Sequence, residues 1–160
     1  MRKIKVQKLT NDNFKEFGSF YNMLDPQGYN LGDFFPDHLD VANTTNMSQG
    51  FSSLIVYKKD HMIVDLVEYH NFSAEVLLPL DTDIVIHVAP PNNKKDIDLT
   101  QAFIVPKGTI VKLNIGVTHL CPFSITEEIG HVMVALPQRT YKNDCYLVNL
   151  DENEIFEIVL

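Results

Sequence analysis

The stretch from Glu68 to Glu75 carries the residue types in this chain that are best suited to chemistry. It reads Glu-Tyr-His-Asn-Phe-Ser-Ala-Glu and follows an alternating apolar run, which predicts a half-buried strand. Glu68 and His70 are two residues apart, so they point to the same face of such a strand. A turn over residues 71–73 would then bring Glu75, at the start of the next strand, to the same place. Two carboxylates and an imidazole can therefore converge, and a metal site needs one further ligand.

His119 is the candidate for that fourth ligand. Two buried carboxylates repel each other unless a cation or a proton lies between them. Two imidazoles and two carboxylates suit a divalent ion such as Mn, Fe, Ni or Zn, and the ligand set does not choose among these metals. Together with Glu68, His70 and Glu75, the candidate His119 would complete a metal site with coordination positions left open for a small-molecule substrate.

Short strands separated by close turns dominate the chain after Gly50. Many short strands with closely spaced turns are typical of an antiparallel sandwich or barrel. The predicted strands are Phe51–Tyr57, Met62–His70, Glu75–Leu78, Asp83–Val88, Ala102–Val105, Thr109–Leu113, His131–Leu136 and Cys145–Asn149.

The first fifty residues have a different pattern. Residues Lys3–Lys8 alternate weakly and predict an edge strand. Residues Leu9–Gly18 predict a short helix that Thr10 caps and Gly18 ends. A long loop is expected over Tyr21–Gly50, and its aromatic residues predict that it is packed down rather than disordered.

Composition limits the classes of protein to consider. The chain has 160 residues, 45% of them hydrophobic, which favours one globular domain over 1–160, with its barrel at 51–150 and a tail at 151–160. A formal net charge of −8 makes nucleic acid and anionic membranes unfavourable partners. No apolar run is long enough to cross a bilayer. Two cysteines are too few for a disulfide framework, so a cytoplasmic location is expected.

The stretch Glu68–Glu75 resembles the first motif of the cupin superfamily. That motif has two histidines one residue apart, followed by a glutamate four or five residues later. Here Glu68 stands in place of the first histidine, and His70 and Glu75 match the rest.

The stretch that ends at His119 resembles the second cupin motif, in which Gly, Pro, Gly and His follow at fixed spacing. Gly108, Gly116 and His119 match it, and Asn114 replaces the proline. The resemblance implies an all-β fold: a cupin-type antiparallel β-barrel, also called a double-stranded β-helix or jelly roll, with a short N-terminal helix. It also implies that the four predicted ligands line the interior of that barrel.

A narrower resemblance covers most of the chain. Residues Leu9–Gly18 are similar to the opening of the ureidoglycolate lyases, and Glu68–Pro79 to their core motif. Val117–His119 stands where that family has Val-Trp-His, and Arg139–Cys145 matches its Arg followed by an Asp/Asn-Cys cluster. The resemblance implies cleavage of ureidoglycolate to glyoxylate and urea in purine and allantoin catabolism, by a homodimer.

Within that resemblance we expect Glu75 and His119 to be catalytic, with Glu75 as the base, and Arg139 and His87 to bind substrate. The chain departs from the family at Glu75, where the family has Gln, at Thr118, where it has Trp, and at 113–114, where it has Tyr-His. The alternative function is therefore a cupin that binds or converts another small ligand, such as a sugar or an organic acid.

Each candidate residue also has a structural interpretation. Glu68 and His70 could form a polar pair on a solvated sheet face, while His87 and His119 could be hydrogen-bonded histidines of the core. Arg139 could be a surface turn residue. Cys145 could be a small buried hydrophobic residue. Lys94 and Lys95 could be solvated residues of a loop.

Overall fold

The computed structural model of the chain describes residues 1–42, 45–92 and 96–160, so Lys94 and Lys95 lie outside the described residues. Strands predominate, as predicted, and the two α-helices have four residues each. The strands are β1 (Arg2–Lys8), β2 (Gly18–Asn22), β3 (Gln49–Tyr57), β4 (Met62–Val64), β5 (Leu66–Tyr69), β6 (Glu75–Pro79), β7 (Ile84–Val88), β8 (Gln101–Val105), β9 (Thr109–Leu113), β10 (Phe123–Ser124), β11 (Ile129–Pro137), β12 (Tyr146–Asn149) and β13 (Phe156–Val159). The helices are α1 (Asn11–Phe14) and α2 (Thr140–Asn143), and Ile97–Leu99 forms one 3₁₀ turn.

Two main sheets form the barrel. The five-stranded sheet has the order β2-β9-β6-β11-β3, and its neighbouring strands are antiparallel. The six-stranded sheet has the order β10-β7-β8-β1-β13-β4, and β12 pairs with β5 in a small third sheet. The all-β, cupin-type jelly-roll prediction is confirmed. In the described part of the chain, no helix is long and apolar enough to span a membrane.

The first strand is not an edge strand, contrary to the prediction for Lys3–Lys8. Residues 2–5 of β1 pair in parallel with β13, and residues 6–8 pair in parallel with β8. The C-terminal strand was predicted only as part of a tail, yet Phe156 and Ile158 are buried in it. The Phe-Glu-Ile-Val alternation is only four residues long and follows an acidic stretch, so the sequence pattern did not predict a strand here.

Two apolar cores lie on opposite faces of β7 and β8. Alternation along β7 sends Ile84, Ile86 and Val88 into the main core, between the two large sheets, and Val85 into the second core. The second core also contains Phe156, from the strand that the tail prediction missed.

The short helix begins as predicted. The Thr10 side chain accepts a hydrogen bond from the Asn13 backbone N–H at 3.2 Å, and the Asn13 side chain accepts one from the Thr10 N–H at 2.9 Å. Gly18 does not end the helix; it starts β2, where a Cβ atom would lie 1.8 Å from the carbonyl oxygen of Lys112. Only glycine lets the two backbones approach this closely.

The predicted strand Met62–His70 is two strands in the structure. It breaks at Asp65, whose carbonyl oxygen accepts a hydrogen bond from the Leu150 N–H. The first part pairs with β13 and the second with β12. Val67 of β5 still packs in the second core, whereas its neighbour Glu68 lies opposite His119.

The aromatic residues of the long loop are only partly packed. Tyr29 and Phe34 are 71% and 63% exposed, so the prediction that they hold the loop down is wrong for these two residues. By contrast, Phe14 and Phe17 are fully buried, and the Phe14 ring contacts the Phe103 ring edge-on at a centroid distance of 5.2 Å.

We expect Phe14→Ala to lower the free energy of unfolding by about 3–5 kcal/mol, because it leaves a cavity among the buried rings at the base of the barrel. Phe34→Ala is the matched control, and its effect should stay within about 0.5 kcal/mol because that ring is exposed. Urea denaturation followed by circular dichroism measures both values. Equal stabilities of the two variants would contradict the assignment of Phe14 to the core.

Candidate metal centre

A backbone contact brings the two motifs together. The Glu68 N–H donates to the His119 carbonyl at 2.7 Å, and the His119 N–H donates to the Glu68 carbonyl at 2.8 Å. Residues that are directly opposite in an antiparallel pair project to the same face, so both side chains point to one side. The Gly116 N–H also donates to the carbonyl of His70 at 2.7 Å. Three backbone hydrogen bonds therefore fix one motif against the other.

The four predicted ligands come together. The Nε2 atoms of His70 and His119 lie 3.0 and 2.9 Å from the same Oε2 atom of Glu75. His119 Nε2 is 3.8 Å from Glu68 Oε1, and one ligand atom of each residue lies within 4.8 Å of all the others. His70, Glu75 and His119 are buried and Glu68 is half-buried, which excludes a solvated polar pair on the sheet surface. Their function as ligands stays a prediction.

Backbone carbonyls fix the orientation of both imidazole rings. His70 Nδ1 lies 2.7 Å from the carbonyl oxygen of Asp144, and His119 Nδ1 lies 2.8 Å from that of Val117. A carbonyl oxygen only accepts, so each Nδ1 carries a hydrogen and each Nε2 faces Glu75. If both rings were neutral, two lone pairs would point at an anionic oxygen. A proton or a cation must lie between these atoms, and a divalent metal fits this donor set and this support of the rings.

Without metal, protons stabilise the cluster. Burial alone would raise the pKa of Glu75, but the positive charge and hydrogen bond of His119, together with the hydrogen bond from His70, lower it to about 2. Burial alone would lower the pKa of His119, but the negative charges of Glu75 and Glu68 raise it to about 9. The metal-free protein thus holds a carboxylate and an imidazolium here at neutral pH.

Two residues that sequence analysis did not assign to the site support its ligands. The Asp144 carboxylate accepts the backbone N–H groups of Asn71 and Phe72 at 2.8 and 2.9 Å. The Cys145 thiol donates to Glu68 Oε2 at 3.1 Å, so Cys145 is not merely a small buried hydrophobe. The match of Arg139–Cys145 to the Asp/Asn-Cys cluster of the ureidoglycolate lyases could have indicated both residues.

Tyr141 is a third residue that sequence analysis missed. It lies on α2, and its side chain is 62% exposed. Burial of the phenol raises its pKa, and the nearby charges of Glu75 and Glu68 raise it further, to about 12. The phenol therefore stays protonated at neutral pH, and the charges of Glu75 and Glu68 act on it.

The two predicted substrate-binding residues are not among the four clustered side chains. His87 is buried on the second-core face of β7, where its ring meets the edge of Phe156 at a centroid distance of 5.6 Å. Its Nε2 has no hydrogen-bond partner among the described residues. Burial and the charge of His119 lower its pKa to about 3.

Arg139 is exposed, with a φ of 64° where α2 begins. Substrate binding by either residue stays a prediction.

Comparison with known proteins gives one family. A family model described as ureidoglycolate lyase matches residues 1–157. The chain belongs to this family. No curated protein matches the sequence.

Solved structures similar to this ureidoglycolate lyase family member are distant. One is RmlC from Streptococcus suis in complex with dTDP-D-xylose, with 9% identity, a TM-score of 0.42, and coverage of 56% of this chain and 44% of that one. Another is a Bacillus subtilis oxalate decarboxylase studied for its Mn(II) centers, with 13% identity, a TM-score of 0.47, and coverage of 69% and 27%. The chain thus spans less than half the length of these two structures, and the family assignment rests on the family model.

The buried pair of Glu75 and His119 predicts how the stability of the metal-free protein depends on pH. The raised pKa of His119 contributes stability that is complete below pH 6.5 and is lost as the pH rises through 9. The lowered pKa of Glu75 contributes stability that is complete above pH 4.5 and is lost as the pH falls through 2. We expect the free energy of unfolding to fall by a few kcal/mol between pH 6.5 and 9.

Urea denaturation in the presence of a chelator measures this dependence. His119→Gln should flatten it, whereas His131→Gln, which removes a half-exposed ring paired with Asp81, should keep the slope. A wild-type protein whose stability does not change over this interval would show that the pair does not ionise as described.

Proposed function

We propose that the protein is a metal-dependent ureidoglycolate lyase that splits ureidoglycolate into glyoxylate and urea. The observation that carries this proposal is the buried cluster of Glu68, His70, Glu75 and His119, found in a chain of the ureidoglycolate lyase family. The inward-facing carboxylates and imidazoles supply both metal ligands and groups that accept protons.

The four clustered side chains would hold one divalent ion, and carboxylate and imidazole ligands suit Mn, Fe, Ni and Zn alike. When bound, the ion would supply positive charge that holds the carboxylate and hydroxyl groups of a small substrate in one orientation.

Glu75 is the proposed base. Its Oε2 faces both imidazoles, which leaves its second oxygen to accept the substrate hydroxyl proton. As that proton leaves, the carbon–oxygen bond becomes the carbonyl of glyoxylate and the carbon–nitrogen bond breaks. His119, 2.9 Å from Glu75, is the second proposed catalytic residue because its ring positions and electrostatically supports that carboxylate.

The departing urea nitrogen must receive a proton. The Tyr141 phenol is the candidate donor, because it stays protonated at neutral pH and is close enough to Glu75 and Glu68 for their charges to raise its pKa. The exposed Arg139, on the same segment, is proposed to pair with the substrate carboxylate through its planar guanidinium. His87 is also proposed to bind substrate, because its Nε2 has no hydrogen-bond partner among the described residues.

A second candidate function is binding or conversion of another small ligand, such as a sugar or an organic acid. Thr118 favours this candidate, since it replaces the tryptophan of the family and its buried Oγ1 has no hydrogen-bond partner among the described residues. The additional charge at Glu75 favours it too, because a carboxylate beside the site repels an anionic substrate. We further propose that the protein is a cytoplasmic enzyme of purine and allantoin catabolism. This wider proposal depends on the lyase activity.

We also propose that the protein is a homodimer. The outer face of the five-stranded sheet carries exposed apolar side chains, among them Phe51 at 70%, Ile55 at 49% and Ile129 at 55% exposure. These residues point to the same face of the paired strands β3 and β11, and Tyr57, which lies opposite Ile129, is also 49% exposed on that face. An apolar face of this kind is stabilised when a second copy covers it.

The lyase proposal predicts that the purified protein releases glyoxylate from ureidoglycolate and that the rate depends on added divalent metal. His70→Ala combined with His119→Ala should abolish both metal binding and turnover, since two of the four ligands are lost. Glyoxylate is measured by a coupled assay, and bound metal by elemental analysis. A protein that binds metal but releases no glyoxylate would favour the second candidate function.

Replacing the proposed base gives a sharper test. Glu75→Gln restores the residue of the family without a change in size, and it should retain metal while it loses most of its turnover number if Glu75 accepts the proton. Turnover and metal content of the same preparation are compared with those of the wild type. An unchanged rate would remove Glu75 from the catalytic residues.

The homodimer proposal predicts twice the chain mass in light scattering at micromolar concentration. Phe51→Glu should shift the protein towards the monomer, because it places a charge on the apolar sheet face. Leu99→Glu, at a side chain that is 57% exposed on the 3₁₀ turn, is the control and should leave the mass unchanged. A monomeric wild type would contradict the proposal.

A further inference from the structure

We propose that Cys145 selects which oxygen of Glu68 faces the metal site, and that Asp144 and Cys145 together hold both ligands of the first motif. They are positioning residues, since they act through Glu68 and His70. This inference rests on the metal site of the proposed function and does not depend on the lyase reaction.

The two oxygens of Glu68 have different partners. An ionised carboxylate has only acceptor atoms, so the Cys145 thiol must be the donor in its 3.1 Å contact with Oε2. Oε1 is the atom that approaches His119 Nε2, at 3.8 Å. The thiol therefore engages the outer oxygen and leaves Oε1 directed into the cluster, which favours Glu68 as a ligand through one oxygen rather than two.

Asp144 fixes the other ligand through its main chain. Its carbonyl oxygen accepts the Nδ1–H of His70 at 2.7 Å, which holds the ring with Nε2 turned towards Glu75. This carbonyl is itself anchored, because the buried Asp144 carboxylate accepts two backbone N–H groups from the turn that follows His70. The turn and the carbonyl thus keep a constant distance from each other.

The same segment is anchored a second time. Thr140 is buried, its hydroxyl donates to the carbonyl oxygen of Pro137 at 2.7 Å, and it lies 3.4 Å from the hydroxyl of Ser73. Residues 140–145 and the turn at 71–73 therefore form one hydrogen-bonded unit on one side of the cluster. Partners of metal ligands typically change metal affinity by about 10- to 100-fold when they are removed.

The test compares variants of the two cysteines in the full-length protein, with Co²⁺ as the probe. Cys145→Ala removes the donor and should weaken Co²⁺ binding about 10-fold or more, as measured by competition with a chelator. Cys145→Ser keeps an O–H donor and should restore most of the affinity. Cys121→Ala is the control, since the hydrogen bond of that thiol goes to the carbonyl oxygen of Pro122, at 3.6 Å, and not to a residue of the cluster. It should bind Co²⁺ like the wild type.

The visible absorption of bound Co²⁺ gives a readout that a loss of packing would not produce. Freed from the thiol, Glu68 can bind through both oxygens, so Cys145→Ala should have a weaker absorption band, typical of a higher coordination number, whereas Cys145→Ser should keep the wild-type spectrum. Asp144→Asn tests the second half of the inference, because its amide can accept only one of the two N–H groups; it too should bind Co²⁺ about 10-fold more weakly.

The possible results distinguish a failure of the proposed role of Cys145 from a failure of the metal site. Equal Co²⁺ affinity and an identical spectrum for wild type and Cys145→Ala would overturn the inference while the metal site stands. Failure of Cys145→Ser to restore either property would also overturn it, since packing rather than a donor would then matter. A wild type that binds no Co²⁺ would overturn the metal site and the inference together.

Discussion

One oxygen atom of Glu75 is the constraint on which the site depends. Two imidazole nitrogens lie within 3.0 Å of it, inside a barrel that excludes water. A bare carboxylate in such a place is costly, and two neutral rings with their lone pairs turned towards it would add to the cost. Positive charge must be present, as protons or as a metal ion. The interior of the fold therefore requires positive charge, and the strands around Glu75 determine where that charge lies.

Backbone groups, rather than flexible side chains, orient the two imidazole rings around that positive charge. The two rings are oriented by carbonyl oxygens, and the two motifs are joined by main-chain hydrogen bonds between Glu68 and His119. A carbonyl within a sheet or a short turn has little freedom, so the ring that it orients has little freedom too. Side-chain support comes from the buried Asp144 carboxylate, which holds the turn after His70, and from the Cys145 thiol, which contacts Glu68. Rigidity at the centre and adaptable contacts at the rim suit a site that must admit a small molecule.

The sequence predicted much of this arrangement, because alternation and spacing are local properties. Period-two alternation identified most strands, including Thr109–Leu113 to the residue, and the spacing around His70 and His119 identified the four clustered side chains. The contacts that sequence analysis missed are not local: Cys145 meets a residue 77 positions earlier, and Asp144 one 74 positions earlier. Hydrogen bonds of this range depend on the register of β12 against β5, which no local pattern specifies.

The pairing of β1 with β13 has a consequence for how the molecule is assembled during synthesis. Arg2 is opposite Phe156, so two strands about 150 residues apart in sequence lie side by side. The main core draws its buried residues from Phe14 to Leu136, and the second core requires Phe156 and Ile158. On a ribosome, the second core must therefore wait until the chain as far as Ile158 has emerged, and β1 must remain without one neighbour until then. Closing so long a loop slows folding, and an open strand edge can pair with other chains. The completion of the second core, rather than of the metal centre, is then the step at which a nascent chain is most exposed to aggregation.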